Sequence, residues 1–176
     1  MKFNLTDEEL DEILDVKDDV EEKSKVIDTI VEGIILPYCK DLDKYVSFIK
    51  DCLKDGENPP TTDELDDFCL NLSTYIYFAG GMCEQLGIRD DIAKAVYKEI
   101  YHTARASQEK GTVADKDSLA ELASQQEFIV SAAYTRAYKT MKMKVENAQE
   151  LLSSVKKVLS HRLSEIELTR IGGSGK

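Results

Sequence analysis

Apolar side chains recur at spacings of three and four along most of this chain, which is the period of helices that bury one face. Residues 6–16 read as a short acidic helix. Thr6 and Glu9 form a capping box, and Leu10, Ile13 and Leu14 make a narrow apolar patch. Lys17–Lys25 is almost wholly charged and reads as a loop or an exposed helix. From Ser24 to Lys54 a strong stripe runs through Ile27, Ile30, Val31, Ile34, Ile35, Tyr38, Leu42, Tyr45, Val46, Ile49 and Leu53. Pro37 lies inside it and is expected to kink or split the helix. Asp55-Gly56 and Asn58-Pro59-Pro60 mark a turn. A third helix then starts at Thr61 or Thr62 with Leu65, Phe68, Cys69, Leu72, Ile76, Ala79 and Cys83 on its inner face. Gly80-Gly81 should weaken that helix or permit close packing, and Gly87 is placed to stop it. Asp90 is placed to cap a fourth helix, which buries Ile92, Val96, Ile100 and Ala104 and ends before Gly111.

The longest element follows. Thr112 to Arg170 contains no Pro and no Gly, and Thr112 with Asp115 resembles a capping box. One helix of that length would reach roughly 80–90 Å. Its apolar positions, Leu119, Leu122, Gln126, Val130, Ala133 and Ala137, then Met141, Val145, Ala148, Leu152, Val155, Leu159 and Ile166, form one slowly drifting stripe. Such drift is the mark of a heptad-like seam. The pattern predicts an all-α fold, an antiparallel helical bundle with one very long C-terminal helix. The expected organisation is an acidic N-terminal segment over residues 1–23, a helical body over 24–111, the long helix over 112–170 and a flexible tail over 171–176. The earlier helices are too short to cover the whole stripe. Leu151, Leu152, Val155, Leu159, Leu163 and Ile166 are therefore the expected contact surface of a homo-oligomer.

Charge adds an asymmetry to this picture. The net charge is −11, yet residues 1–100 hold 11 basic and 25 acidic side chains while residues 101–176 hold 12 basic and 9 acidic. An acidic half of this kind either meets a basic partner or screens the basic half. The four cysteines, Cys39, Cys52, Cys69 and Cys83, make no Cys-x-x-Cys pair and fall on or near apolar stripes, so they read as buried reduced thiols. No signal peptide or membrane-length apolar run is evident, and the expected location is the cytoplasm, with no membrane partner.

Residues that carry chemistry are few. Glu99 and His102 share the spacing used in di-iron bundles, but that site needs a second pair, and no Glu stands three residues before His161. Glu9/Glu12, Glu64/Asp67 and Asp90/Asp91 have the form of magnesium-holding carboxylate pairs, although acids at helix starts are expected from the helix dipole alone. No phosphate loop, zinc pattern or nucleophile elbow is present. The expectation is a non-enzymatic protein without a cofactor or metal. On the last helix Arg136, Lys139, Lys142 and Lys157 share an outer face with Glu146 and Glu150, which describes either a solvated salt-bridged surface or a phosphate-binding strip. Lys144 and Arg162 fall at the edge of the apolar stripe, where they can snorkel, pair with acids of a neighbouring helix or line a channel. Tyr97, Tyr101, Tyr134 and Tyr138 are packing aromatics or stacking platforms for bases.

Ala-Asp-Lys-Asp-Ser-Leu at Ala114–Leu119 opens the long helix, and Leu159-Ser-His-Arg162 lies near its end. This arrangement resembles the UvsY-like recombination mediators of tailed phages. The resemblance implies a helical oligomer that binds single-stranded DNA and helps load a recombinase on strands coated by single-strand-binding protein. By position, Lys116, Lys156, Lys157 and Arg162 would inherit DNA contacts. Together with the outer-face residues Arg136, Lys139 and Lys142, they form the expected DNA-binding set. The acidic first hundred residues depart from the family pattern. The competing expectations are an acidic helical inhibitor that binds a host nucleic-acid-binding protein by charge mimicry, and a helical virion or scaffold component.

Overall fold

The computed structural model describes residues 6–173, with the side chains of residues 7–12, 19, 23 and 171–173 left undescribed. The Glu9 half of the Thr6–Glu9 capping box and the end of the tail therefore lie outside the described residues. Four helices and no strand make up the rest: α1 (Asp7–Lys54), α2 (Thr62–Ser107), α3 (Val113–Ala123) and α4 (Gln125–Gly173). The all-α expectation is met. Among the described residues no helix is long and apolar enough to cross a membrane.

Three expected boundaries are absent, and one break is new. α1 runs without interruption from the acidic segment through Pro37. A proline ring crowds the carbonyl four residues back, which here belongs to Gly33. Gly33 is exposed with open space around it, so that carbonyl can turn toward water. α2 continues through Gly87 and Asp90. A Cβ on Gly87 would meet the Tyr138 ring at 3.3 Å, so this glycine serves close packing and not termination. Asp90 is buried inside the helix, not at its cap. The long C-terminal element, by contrast, divides at Ser124. The capping box at its start is present, with Thr112 Oγ1 accepting from Asp115 N–H at 3.3 Å and Asp115 Oδ2 accepting from Thr112 N–H at 2.9 Å. Ser124 is fully buried, and its hydroxyl donates to the Ala120 carbonyl at 2.8 Å. Thr29, Ser73 and Ser153 make the same back-bond inside unbroken helices, so what marks the junction is the Ser124 backbone itself, at φ −105° and ψ 12°. Backbone bonds from Ser124 N–H to Ala120 and from Phe128 N–H to the Ser124 carbonyl still span the junction. At its other end α4 reaches Gly173, beyond the expected limit at Arg170.

The chain packs as two compact units. One combines α1 up to Ile34 with Asp91–Ala137, and the other combines Ile35–Asp90 with Tyr138 to the end of α4. In the first unit the buried face is built of small side chains: Ala120, Ser124, Ser131, Ala133 and Ala137, with Val31. The expected inner residues Leu119, Leu122, Val130, Ile92 and Val96 are exposed instead. Small residues let helices approach closely, so they take the contact face while larger apolar groups are displaced outward. Tyr101 donates to Asp117 at 3.3 Å, Arg105 pairs with Asp117 at 2.5 Å, and Tyr97 meets the Phe128 ring edge-on at 5.6 Å.

The second unit is a three-helix bundle that follows the heptad reading closely. Ile35, Cys39, Leu42 and Ile49 of α1 are buried with Leu65, Cys69, Leu72, Ala79, Cys83 and Leu86 of α2. Met141, Val145, Ala148 and Val155 of α4 complete the core. Steps of three and four on each helix give a continuous seam. The turn at residues 55–61 makes α1 and α2 antiparallel. Lys144 beside Asp43 and Arg162 beside Pro60 set α4 parallel to α1 and antiparallel to α2. This register also corrects the extent of the uncovered stripe. Val155 is fully buried, and Leu151, Leu152 and Leu159 are half-buried. Of the expected oligomer residues, only Leu163 and Ile166 are exposed, joined by Leu168.

Candidate functional site

The turn between α1 and α2 builds a cleft from local bonds. Asp55 Oδ1 accepts from the backbone N–H groups of Glu57 and Asn58 at 3.0 and 3.2 Å, and Pro59-Pro60 prevents helix through the next two positions. Thr61 and Glu64 then cap α2 reciprocally: Glu64 Oε2 accepts from Thr61 N–H at 2.7 Å, and Thr61 Oγ1 accepts from Glu64 N–H at 3.3 Å. The bond from Thr61 N–H first, and then one that the Thr61 hydroxyl donates to Glu64 Oε2 at 2.8 Å, hold the Glu64 carboxyl below its ordinary pKa and keep it ionised. Arg162 of α4 donates to the Pro60 carbonyl and ties the turn to the third helix.

Folding the hairpin about this turn sets Tyr45 beside Asn71 and Phe48 beside Phe68. The Phe48 and Phe68 rings meet edge-on at 5.7 Å, and Tyr45 lies 5.9 Å from Phe48 and 5.1 Å from Tyr75. Burial pushes the Tyr45 phenol above its ordinary pKa, against the opposing hydrogen bond with Asn71. The resulting cleft has a volume of about 390 Å³. Its walls are Tyr45, Phe48 and Phe68, and its rim carries Asp55, Glu64 and Asp67. Asp67 is exposed and has no hydrogen bond or ion pair among the described residues. Aromatic faces beside carboxylates suit a cation with an apolar stem, because the ring quadrupole and the carboxylates attract the charge together while the rings cover the stem.

One turn of helix away, Lys144 Nζ bonds both carboxylate oxygens of Asp43, and Asp43 also accepts from the Cys39 thiol. Burial first, and then Asp43, push Cys39 up to about 11. Burial likewise raises Cys69 and Cys83. These three thiols are protonated near neutrality and poor nucleophiles. All four cysteines are free, and Cys52, half-buried, lines the cleft.

The expected DNA-binding residues are divided between the two units. Lys116 and Arg136 belong to the first unit, and Lys139, Lys142, Lys156, Lys157 and Arg162 to the second. Lys139, Lys142, Lys156 and Lys157 are exposed on α4, but Glu146 and Glu150 interrupt the strip between the two pairs. Arg162 is half-buried and engaged with Pro60. In the first unit Glu99 and His102 are both exposed, and Tyr97 and Tyr101 are packed. Tyr134 and Tyr138 are half-buried. Among the described residues no group of three or more His, Cys, Asp or Glu side chains is placed to hold a metal.

The cleft is the grouping that sequence reasoning missed. Its signal was present, because Tyr45 and Asn71, Phe48 and Phe68, and Cys52 and Glu64 are each equidistant from Asn58 at the tip of the turn. No protein family, curated protein or solved structure matches this chain.

Proposed function

We propose that this protein is a non-catalytic helical binding module that captures a basic segment of another protein in the α1–α2 cleft. The observation that carries the reading is the coincidence of three aromatic walls with Asp55, Glu64 and Asp67 in one cleft. A lysine or arginine side chain satisfies both features at once. The acidic character of α1 supports the same partner class: Asp15, Asp18, Glu21, Glu22, Asp28 and Glu32 are all exposed, and surface charge opposite in sign to a basic partner speeds encounter with it. Occupying the nucleic-acid site of such a partner is the charge-mimic form of this function.

The test is a titration with a labelled arginine- and lysine-rich peptide, read by anisotropy at low and high salt. Binding is expected in the wild type, weaker at high salt, and reduced roughly tenfold by Phe48→Ala or Asp67→Lys. Equal binding by both variants contradicts the reading.

A second reading, an accessory protein of DNA recombination that contacts single strands, draws on the exposed Lys139, Lys142, Lys156 and Lys157 of α4. It expects binding to labelled single-stranded DNA that falls steeply with salt and weakens for every sequence alike in Lys156→Ala with Lys157→Ala. No binding at low salt removes it.

A further inference from the structure

α2 carries apolar residues on two opposite faces within the second unit. Leu65, Leu72, Ala79 and Leu86 face the core. Leu70, Tyr77 and Ile88 lie about 180° away on the helix, taking 100° per residue, and are exposed by 68, 78 and 61%. Thr74 and Gly81 fall between them on the same outer strip, and Phe78 flanks it, also exposed and edge-on to Tyr77. In a chain with 32% charged residues, the strip itself carries no charge, and Glu84 stands at its edge. A Cβ on Gly81 would meet nothing within 4 Å. The bundle therefore gives no reason for a glycine there, although glycine inside a helix is unfavourable.

The order of large and small residues identifies what covers this strip. Leu70 and Ile88 are equidistant from Ala79, and so are Tyr77 and Gly81. In an antiparallel pair of α2 helices related by a two-fold axis level with Ala79, Leu70 of each copy meets Ile88 of the other. Tyr77 of each copy lies over Gly81 of the other. An isologous contact requires this reciprocity. Glu84 comes level with Thr74 of the other copy, and so avoids its own counterpart. We propose that the outer face of α2 is a self-association surface on which a second copy of this chain docks antiparallel, with Tyr77 seated on the glycine gap. One helix pair is smaller than a standard interface, so association is expected with a Kd of about 10–100 µM.

Sedimentation of the full chain across that concentration range should show a monomer–dimer equilibrium. Tyr77→Glu should abolish it with the helical circular dichroism unchanged, since the side chain is exposed. Gly81→Ala should raise the Tm of dilute protein by roughly 1–4 °C and yet weaken association about tenfold, because the methyl enters the contact twice. Gly80→Ala, on the flank, should raise Tm without weakening association. A short thiol cross-linker should join Leu70→Cys protein to Ile88→Cys protein. It should fail between two Leu70→Cys chains, whose positions lie about 27 Å apart along the axis in this register. A monomer throughout the range overturns the proposal. So does a dimer that survives Tyr77→Glu and is broken by Leu163→Glu on α4.

Discussion

Lys144 Nζ lies 2.7 and 2.9 Å from the two carboxylate oxygens of Asp43, a residue 101 positions earlier in the chain. The pair fixes the register of α4 against α1 and holds the acceptor beside the Cys39 thiol. Both side chains keep partial solvent contact, 30% for Lys144 and 44% for Asp43, so screening limits what the pair adds.

Asp43→Asn is therefore expected to cost only about 0.5–1 kcal/mol in urea denaturation. The same change should lower the Cys39 pKa, because Asp43 raises it, while burial continues to hold it above the ordinary thiol value. Alkylation of Cys39 followed against pH checks the second effect. An unchanged profile would mean that Asp43 does not bear on the thiol.

Alkaline stability should reveal Cys39 directly. Its pKa is raised from 9.0 to about 11 in the folded chain, by burial first and then by Asp43. Between those values the unfolded chain has released the proton and the folded chain retains it. The stabilisation is thus complete below pH 9 and is lost as pH rises toward 11, by at most roughly 2–3 kcal/mol. Cys39→Ala should flatten much of that decline in melts taken from pH 8 to 11. The raised thiols of Cys69 and Cys83 account for a remainder of the same sign.

Arg162 should behave as a structural residue. Arg162→Met removes its bond to the Pro60 carbonyl, which is buried with its residue, and is expected to cost about 1–2 kcal/mol. Hydrogen exchange should quicken over residues 55–61 and stay unchanged over the first turn of α3. A loss of nucleic-acid binding with no loss of stability would reverse this assignment.

The parts of the fold legible in the sequence are those where one strong pattern acts alone. Met141 to Val155 shows regular heptad steps, and of the three roles that the stripe's edge left open for Lys144, the structure shows pairing with a neighbouring helix's acid. The Thr112–Asp115 box is a local motif and formed as read. Single-residue signals failed where tertiary context outweighed them. Pro37 did not split α1, and Gly87 packs under Tyr138 instead of ending a helix. Ser124 gave no warning, since Ser73 and Ser153 sit in periodic runs and make the same back-bond without a break. The stripe from Leu119 to Val130 was misplaced because hydropathy favours Leu119 and Leu122, whereas close packing selected Ala120, Ser124 and Ser131; Ala133 and Ala137 are buried as read. The cleft needed the hairpin register, which no single-helix pattern contains.

The proposed role of the α1–α2 cleft is to hold a cationic side chain. Its most direct test is backbone amide NMR of the full chain during titration with an arginine- and lysine-rich peptide. Saturable shifts are expected, concentrated at Tyr45, Phe48, Glu64, Asp67, Phe68 and Asn71 and lost in Asp67→Lys. Shifts confined to Lys139–Lys157 with single-stranded DNA, and none at the cleft with the peptide at any concentration reached, would contradict it.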